Sequence, residues 1–438
     1  MKTLVAMIFA VLIIAHSPAL FAQGFETEKL ANWHQWRGPL ATGVAPQGNP
    51  PLNWDEDTNV KWKTSIEGEG SSTPIIWGDN VFVVSAVETD KVPAVLPTPH
   101  PESKTQPPPK IFAFTVWNLD RTTGTVKWKK VVHEAAPHEG RHPSTTYAAA
   151  SPITDGEHVF ASFGSYGIYC LSFDGKIVWT RDLGDMRTRR GWGEAVSPAL
   201  HDSSLVINWD QEDQSKIFVL DSKTGQTKWE KLRDEPTTWA TPLIVEHNGK
   251  TQVITNGTKR LRSYDLATGD IIWQSTGTTL NAIPSPILDG TSVICMAGYQ
   301  GNAAFAVSLD ATGETTDTDV KWRFDHDTPY VPSPLLVDGR LYFTKSLQAI
   351  LNCLDVKTGK PIYDLQRLAG LQNMYASPVA ADDKIYFTSR EGVTLVIKNS
   401  PEFKVLATNK LAEPIDASPA IAGNQLFLRS KTSLYCVE

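Results

Sequence analysis

The chain has 438 residues and little of what marks several common protein classes. It has no run of basic residues and a formal net charge of −7, so an electrostatic nucleic-acid-binding surface is not expected. No long segment has the 3.6-residue apolar periodicity of an amphipathic helix. The motifs Gly-x-Ser-x-Gly, the Walker loop, His-Glu-x-x-His and Cys-x-x-Cys-His are also absent from the sequence. These absences argue against a helical fold and leave the usual hydrolase, nucleotide-binding, zinc-protease and haem functions without support.

What the chain has instead is an internal repeat. Eight Ser-Pro or Thr-Pro pairs each precede a short apolar run, and from the second pair onward they are 46, 44, 44, 48, 44 and 41 residues apart. The first step is 78 residues because it contains insertions. This period is typical of the four-stranded blades of a β-propeller. The pairs are Thr73-Pro74, Ser151-Pro152, Ser197-Pro198, Thr241-Pro242, Ser285-Pro286, Ser333-Pro334, Ser377-Pro378 and Ser418-Pro419.

Each repeat has the same internal order. An apolar run and a polar turn lead to a β-branched and aromatic strand, and a further strand ends in Asp. A Thr-Gly turn and a last strand carrying Trp follow, as in Asp221, Thr224-Gly225 and Trp229. Short β-rich runs between glycine-containing turns are hairpin signals, and glycine accepts the positive φ that such turns need. The sequence therefore predicts an all-β, eight-bladed β-propeller.

The spacing Asp-x-x-Thr-Gly-x-x-x-Trp resembles the tryptophan-docking repeat of the PQQ-like (pyrroloquinoline quinone) propellers, over residues 62–438. In that family the tryptophan of the outer strand packs between neighbouring blades. Blade seven has neither Thr-Gly nor Trp between Ser389 and Ala407, so its outer edge is expected to pack differently. The resemblance implies this docking role for Trp62, Trp128, Trp179, Trp229, Trp273 and Trp322.

The two ends of the propeller complement each other. The eighth repeat stops at Glu438 after three strands, and a strand-like segment is available at 59–63. We expect this N-terminal strand to complete blade eight and close the ring, which removes an exposed sheet edge. The propeller is accordingly placed at 59–438.

Two segments precede the propeller. Residues 1–22 have a charged start, an apolar run and a small residue at a plausible cleavage point, as in a secretory signal peptide. No cysteine stands at that point to carry a lipid. Residues 23–58 are interpreted as a strap that docks across the ring through aromatics such as Trp33 and Trp36. We expect an exported monomer of the periplasm or beyond, without a transmembrane anchor.

Four cysteines in an exported chain suggest disulfides, but their register argues otherwise. Cys170, Cys353 and Cys436 occupy the same strand position in blades two, six and eight, whereas Cys295 lies in a different strand. Equivalent positions in different blades are normally farther apart than the Cα limit of about 7 Å for a disulfide. Four buried free thiols are predicted.

Loops on one face of the ring are where binding is expected. A proline-rich insertion at 88–110 and a histidine-containing insertion at 133–150 belong to this face. The histidines of the second insertion are His133, His138 and His142, and their spacing fits no compact zinc site. No metal site is assigned, and a solvated loop is the favoured interpretation.

The segments just before the Ser/Thr-Pro pairs should converge on the mouth of the central channel. Aromatic side chains beside arginine, carboxylate and amide groups can stack on a planar ring or sugar and hydrogen-bond its edge. The alternative is that they plug the channel and satisfy one another. The candidates are Glu69, Tyr147, Arg189, Arg190, Trp192, Glu194, Trp239, Asn281, Tyr330, Asn373, Tyr375 and Asp416.

A local basic cluster lies within this set. Arg187, Arg189 and Arg190 are followed by Gly191, Trp192 and Gly193, an arrangement suited to close approach of a ligand. Guanidinium groups can hold a carboxylate or phosphate in bidentate fashion. Pairing with neighbouring carboxylates is the structural alternative.

The resemblance leads to three hypotheses for function. The PQQ-like family includes quinoprotein dehydrogenases, which oxidise alcohols or aldoses with PQQ held by Ca²⁺. This chain has no adjacent Cys-Cys pair and no haem site, so no catalytic residue is assigned and no cofactor is expected beyond a PQQ with calcium alternative. The family also includes non-enzymatic envelope propellers of the BamB type, whose partners are proteins. The favoured hypothesis is a non-catalytic scaffold that binds envelope proteins or a small ligand at the channel mouth, and the third is a saccharide-binding module.

Overall fold

The computed structural model describes residues 24–438, and the proposed signal peptide at 1–22 lies outside them. The described chain forms eight antiparallel sheets, each with four strands of a propeller blade. Within a blade the strands follow one another in chain order from the channel outwards, except in blade eight. The molecule is an eight-bladed β-propeller.

Two strands and blades one to four occupy the first part of the chain. The strands are β1 (Val44–Ala45), β2 (Val60–Ser65), β3 (Ile75–Trp77), β4 (Asn80–Glu88), β5 (Phe112–Asp120), β6 (Val126–Ala135), β7 (Ile153–Thr154), β8 (His158–Ser162), β9 (Ile168–Ser172), β10 (Ile177–Arg181), β11 (Ala199–His201), β12 (Ser204–Trp209), β13 (Ser215–Asp221), β14 (Thr227–Arg233), β15 (Leu243–His247), β16 (Lys250–Asn256), β17 (Leu261–Asp265) and β18 (Ile271–Ser275).

Blades five to eight follow, with one extra strand of two residues. The strands are β19 (Ile287–Asp289), β20 (Ser292–Ala297), β21 (Ala303–Ser308), β22 (Gly313–Glu314), β23 (Val320–Arg323), β24 (Leu335–Val337), β25 (Arg340–Thr344), β26 (Ile350–Asp355), β27 (Pro361–Arg367), β28 (Val379–Ala381), β29 (Lys384–Thr388), β30 (Val393–Lys398), β31 (Val405–Lys410), β32 (Ala420–Ala422), β33 (Gln425–Arg429) and β34 (Ser433–Val437). The 3₁₀ turns are Lys29–Ala31, Gly164–Tyr166 and Arg189–Gly191. No helix within residues 24–438 is long and apolar enough to cross a membrane.

Burial changes from the inside of a blade to the outside. The innermost strands β3, β28 and β32 are buried at every position, whereas the outer strand β6 has no buried residue. Strands covered on both faces carry continuous apolar runs rather than alternating ones. The apolar run after each Ser/Thr-Pro pair is therefore the inner strand, and the variable polar strand is the outer one.

The repeated Ser or Thr before proline forms a belt of hydrogen bonds around the channel. Its backbone N–H donates to the hydroxyl of the equivalent residue in the next blade, which links neighbouring blades at their inner ends. Six such bonds are Thr73 to Ser151 (2.9 Å), Ser151 to Ser197 (2.9 Å), Ser197 to Thr241 (3.3 Å), Ser285 to Ser333 (3.0 Å), Ser333 to Ser377 (2.9 Å) and Ser377 to Ser418 (2.9 Å).

The conserved spacing within the repeat brings the tryptophan of one blade onto the Thr-Gly turn of the next. The Trp179 indole N–H donates to the carbonyl of Ser222 at 2.8 Å, and a Cβ on Gly225 would lie 2.7 Å from the indole. Only glycine leaves room for this contact. The same arrangement, with an indole N–H donating to a backbone carbonyl of the next blade, is found for Trp62, Trp128, Trp179, Trp229 and Trp322.

Trp273 differs from the other five. It is fully buried, but its indole N–H donates to the Gln252 side chain of its own blade at 3.2 Å. The long turn of blade five explains the change, because β22 adds in parallel to the outer edge of β18 and places Gly313 opposite Trp273. No heavy atom lies within 4 Å of a Cβ built on Gly313.

Blade seven has Ala407 where other blades have an aromatic, paired with Val396. The N-terminal strap supplies a replacement, since Trp54 is buried in the same apolar cluster as Ala407. The backbone N–H of Trp54 donates to the Asn409 side chain at 2.9 Å. The outer edge of blade seven thus packs against the strap.

Blade eight is completed from the other end of the chain. Strand β2 pairs antiparallel with β34, with Trp62 opposite Cys436 and Lys63 opposite Tyr435. The order of the sheet is β2-β34-β33-β32. The ring is therefore closed by hydrogen bonds between the first and last blade strands.

The strap, described from residue 24 onward, crosses the ring on one face. Trp33 is fully buried and exchanges two backbone hydrogen bonds with Ile76 in blade one, at 3.1 and 2.9 Å. The Arg37 guanidinium is buried and donates to the carbonyls of Pro334 and Pro378, in blades six and seven, at 2.8 and 2.7 Å. Strand β1 then pairs in parallel with β28. The strap thereby ties distant blades together.

All four cysteines lie in the described residues, and each is buried and unpaired, as the register predicts. Three of them are opposite the aromatic residue of the neighbouring outer strand. These pairs are Cys170 with Trp179, Cys353 with Tyr363 and Cys436 with Trp62. A small apolar residue suits this position beside a large ring.

Candidate functional site

The central channel contains a cavity of about 420 Å³. Its floor includes Trp36 of the strap, whose indole N–H donates to the Ser285 hydroxyl at 3.0 Å. Within residues 24–438, six of the eight belt hydroxyls accept a backbone N–H of the belt, and those of Ser285 and Thr73 do not. The Ser285 hydroxyl accepts from Trp36 instead, and the Thr73 hydroxyl donates to the carbonyl of Ser418 at 3.1 Å. Seven residues of the Ser/Thr-Pro belt line the wall: Ser151, Ser197, Thr241, Ser285, Ser333, Ser377 and Ser418.

Five further aromatic side chains surround the cavity near its mouth. Trp192 and Trp239 lie 6.3 Å apart between ring centroids, and Tyr299 stacks on Tyr330 at 4.9 Å. Tyr375 completes the set. Aromatic walls of this kind bind rings by stacking and exclude water.

Backbone turns hold the two tryptophans in place. The Trp239 indole N–H donates to the carbonyl of Gly193 at 2.8 Å, so its ring orientation is fixed. Gly191 and Gly193 have positive φ values of 66° and 90°, which allow the chain to turn sharply on both sides of Trp192. The Arg190 guanidinium lies 5.6 Å from the Trp192 ring.

The charged group of the channel lining, Asp416, forms an ion pair with Arg390. Asp416 Oδ2 accepts a hydrogen bond from the Arg390 guanidinium at 2.9 Å. Asp416 Oδ1 lies 2.8 Å from Arg390 Nε but is buried without a hydrogen-bond partner in the described chain. The same guanidinium lies 4.3 Å from the Tyr375 ring. His142 also lines the cavity, and partial burial and the charge of Arg390 lower its pKa. Burial also raises the pKa of Tyr330. At neutral pH the channel therefore presents neutral rings and one ion pair, in which a carboxylate oxygen is left without a hydrogen-bond partner in the described chain.

The proline-rich insertion (88–110) contacts the loop that carries Trp192. The Lys104 backbone N–H donates to the carbonyl of Arg190 at 2.8 Å, and the Thr105 hydroxyl donates to the carbonyl of Gly191. The insertion from blade one thus supports the loop that carries Trp192.

The histidine-containing insertion (133–150) packs on the same loop. The backbone N–H of His142 donates to the carbonyl of Trp192 at 3.0 Å, and the His138 ring contacts the carbonyl of Met186 at 2.8 Å. The solvated-loop interpretation is therefore wrong for His138, which is half-buried because the loop between blades two and three lies over it.

Five of the twelve candidate residues line the channel, and the others lie around it. Glu69 forms an ion pair with Arg141 at 2.5 Å, and Asn373 donates to Glu391 at 2.9 Å. Tyr147 and Glu194 line a separate small cavity. Arg189, Arg190 and Asn281 are not among the residues that line these cavities. The five channel residues are Trp192, Trp239, Tyr330, Tyr375 and Asp416.

Arg187, the remaining member of the basic cluster, does not pair with its sequence neighbours. It contacts Glu102 of the proline-rich insertion at 2.9 Å and Asp213 at 2.8 Å. The cluster is thus split, with Arg187 tying loops together and Arg190 beside Trp192.

Four residues in or directly beside the channel were not predicted from the sequence to belong to the site. Tyr299 and Arg390 lie in the loops between the second and third strands of blades five and seven, and His142 lies in the second insertion. Trp36 reaches the floor from the strap. The loop between the second and third strands of each blade lies on the same face as the segments before Ser/Thr-Pro. This topology could have indicated that Tyr299 and Arg390 lie near the channel.

The donor set of the channel does not match a calcium-held quinone. Calcium takes six to eight oxygen ligands, usually with several carboxylates. Asp416 is the carboxylate among the channel-lining residues, and it forms an ion pair with Arg390. Among residues 24–438, no three His, Cys, Asp or Glu side chains are grouped so as to hold a metal ion.

Comparison with known proteins identifies a family. The family model described as "Outer membrane protein assembly factor BamB" matches residues 113–364. A search of curated proteins finds no match.

Several solved structures share the fold. BamB from Moraxella catarrhalis is 14% identical, with a TM-score of 0.53 over 81% of this chain and 97% of that one. A europium-containing methanol dehydrogenase is 10% identical, with a TM-score of 0.66 over 94% and 99%. Quinohemoprotein alcohol dehydrogenase from Comamonas testosteroni is 10% identical, with a TM-score of 0.61 over 96% and 82%. At these identities the similarity concerns the fold alone.

Proposed function

The chain belongs to the family of the outer membrane protein assembly factor BamB, and from this premise we propose that it is a non-catalytic binding module of the cell envelope. Its central channel is the binding site, and the ligand carries a ring that stacks between the aromatic side chains. Export directed by residues 1–22 is part of the proposal, and a mature protein that begins at Gln23 by mass spectrometry would support it.

The observation that carries the proposal is the aromatic-walled channel, which the strap covers at its floor. Trp36 covers its floor, and Trp192, Trp239, Tyr299 and Tyr330 form its wall. A cavity of about 420 Å³ is within the range of small-molecule sites. Side chains that merely plugged the channel would leave no such space.

A non-catalytic role is the part of the proposal that rests on the small number of charged groups in the channel. Asp416 is the carboxylate of the lining, and its charge is balanced by Arg390. Partial burial and the charge of Arg390 lower the pKa of His142, so its imidazole is neutral and has the lone pair that a general base requires. Turnover is therefore measured alongside binding. A ring bound here meets hydroxyls and aromatic faces, which suits recognition of a saccharide or of a flat aromatic ring.

Tryptophan fluorescence tests the proposal because Trp192 and Trp239 line the cavity. Mature protein is titrated with mono- and oligosaccharides and with PQQ plus Ca²⁺, and dye-linked oxidation of alcohols and aldoses is measured in parallel. Saturable quenching without turnover is the expected result. Turnover would make the protein a dehydrogenase, and no response to any ring compound would remove the channel as a binding site.

A matched pair of variants locates the site. Trp239 and Trp128 are both half-buried, and each indole N–H donates to a backbone carbonyl, at 2.8 and 2.7 Å. Only Trp239 lines the channel. Trp239→Leu should weaken binding at least tenfold, whereas Trp128→Leu should leave the affinity unchanged.

A further inference from the structure

A third cavity, of about 30 Å³, lies beside the channel where blades one and eight meet. We call it the arginine niche. Its lining shares residues with the channel lining, so the two spaces adjoin. The shared residues are Ser71, Ser144, Thr145 and Asp416.

Arg429 of β33 lines the niche and is 0% exposed. None of its three guanidinium nitrogens has a hydrogen-bond partner within the described chain. Burial lowers the pKa of Arg429 to about 10, which leaves the group charged at neutral pH. A buried charge without partners is strongly unfavourable, so a group of opposite charge or water is required beside it.

Other buried arginines of the described chain are satisfied. Arg37 donates to two carbonyls, Arg233 pairs with Asp210 at 2.6 Å, and Arg262 pairs with Glu235 at 2.7 Å. The orphaned guanidinium of Arg429 is therefore a local feature rather than a general property of buried arginines in this fold.

The two carboxylates that line the niche are paired with other arginines. Glu69 pairs with Arg141 and Asp416 with Arg390, although Asp416 Oδ1 accepts no hydrogen bond within the described chain. Glu413, whose charge acts on Arg429, instead accepts hydrogen bonds from Ser430, Thr432, Ser433 and Tyr435 and pairs with Lys63. With Lys431 also on the lining, the niche has an excess of positive charge.

We propose that the arginine niche holds the carboxylate of the channel ligand, an inference that rests on the proposed function. A cavity of this volume has room for about two water-sized atoms, which matches the two oxygens of a carboxylate. A guanidinium binds a carboxylate through two parallel N–H···O bonds. The ligand class is therefore a ring that bears a carboxylate, such as a sugar acid.

Three probes at constant ionic strength test this inference: glucuronate, glucose and acetate. Wild-type protein should bind glucuronate at least tenfold more tightly than glucose by calorimetry. Acetate alone should raise the melting temperature of the wild type. Both effects should disappear in Arg429→Met and persist in the control Arg260→Met, which removes a positive charge paired with Glu314 in blade four.

Arg429→Lys distinguishes a loss of binding from a folding defect, because lysine keeps the positive charge and loses only the bidentate geometry of the guanidinium. It should retain part of the acetate response. An equal response to acetate in the wild type and Arg429→Met, or none in either, would overturn the inference and leave the guanidinium hydrated by water only.

The failures of the two proposals are distinguishable. If glucose and glucuronate bind equally and both lose affinity in Trp239→Leu, the channel function stands and the carboxylate inference fails. If acetate acts through Arg429 but no ring compound binds, the niche stands and the channel function fails.

Discussion

Glu194 shows how a single buried carboxyl links two loops beside the channel. Its carboxylate accepts from the backbone N–H of Ser165 at 2.7 Å and from the Ser165 hydroxyl at 2.6 Å. The Met186 backbone N–H donates to the same hydroxyl at 2.8 Å. Burial raises the pKa of Glu194 to about 7, because the bonds from Ser165 offset only part of the desolvation.

This shift predicts a pH-dependent stability. The pKa of Glu194 is higher in the folded state than its ordinary value of 4.5, so the folded state binds more protons between pH 4.5 and 7. Stability from this group is therefore lost as pH rises through that window. Glu194→Gln does not titrate, so it does not lose this stability. The difference in unfolding free energy between Glu194→Gln and the wild type should therefore shift in favour of the variant by up to about 3 kcal/mol from pH 4.5 to 7.5.

Urea unfolding at four pH values across this range measures the effect. Glu157→Gln, a substitution at an exposed position, is the control and should follow the wild type at every pH. A difference between Glu194→Gln and the wild type that does not change with pH would contradict the prediction.

At the scale of the blade, adjacent sheets are joined by an indole lying on a glycine turn. Two glycines of blade six allow the effect of the indole contact to be distinguished from the effect of positive φ, because both have positive φ but only one lies against an indole. Gly359 has φ 65° and a Cβ there would lie 2.5 Å from the Trp322 ring. Gly339 has φ 73° with no heavy atom within 4 Å of the Cβ position.

Alanine substitutions at these two positions should therefore differ in their effect. Gly339→Ala should lower the free energy of unfolding by about 1 kcal/mol, the strain of a left-handed alanine. Gly359→Ala adds overpacking against the indole and should lower it by about 2–4 kcal/mol. Chemical denaturation measures both, and equal losses would show that the indole shifts without penalty.

At the scale of the whole molecule, the ring depends on contacts between distant parts of the sequence. Strand β34 lies between β2 and β33, so the N-terminal strand is held only through the last one. Removing β34 would leave two unpaired edges in blade eight, and such edges promote association between chains.

A chain that ends after Thr432 should therefore lose its cooperative thermal transition and associate in sedimentation experiments. The matched control ends after Val437, which removes Glu438 but keeps β34. It should remain folded with a slightly lower melting temperature, because it loses the contact between Lys61 and Glu438 at 2.6 Å. A monomeric, cooperatively melting chain that ends at Thr432 would refute ring closure as a requirement.

Much of the propeller was predictable from the sequence. The Ser/Thr-Pro pairs, the Thr-Gly turns and the outer-strand tryptophans recur at a fixed period, and each is a local signal. Because blades contact mainly their neighbours, the number of repeats determines the number of blades. The incomplete eighth repeat likewise indicated that a strand at 59–63 closes the ring.

The site required the tertiary structure. Which loop residues reach the channel depends on the positions of eight loops around it, and no local pattern encodes those positions. The channel lining excludes Glu69 and Asn373 and includes Tyr299, and Arg390 reaches the site by pairing with Asp416. The structure also places Trp36 on the floor.

Contacts in which one segment takes the structural place of another, distant segment could not be predicted from the sequence either. Trp54 of the strap fills the edge of blade seven beside Ala407, and β22 changes the surroundings of Trp273. Arg429 appears in the sequence as an ordinary strand residue, and only its burial without a partner marks the niche. The repeat determined the fold because its signals are local, whereas the site was decided by contacts between residues far apart in the chain.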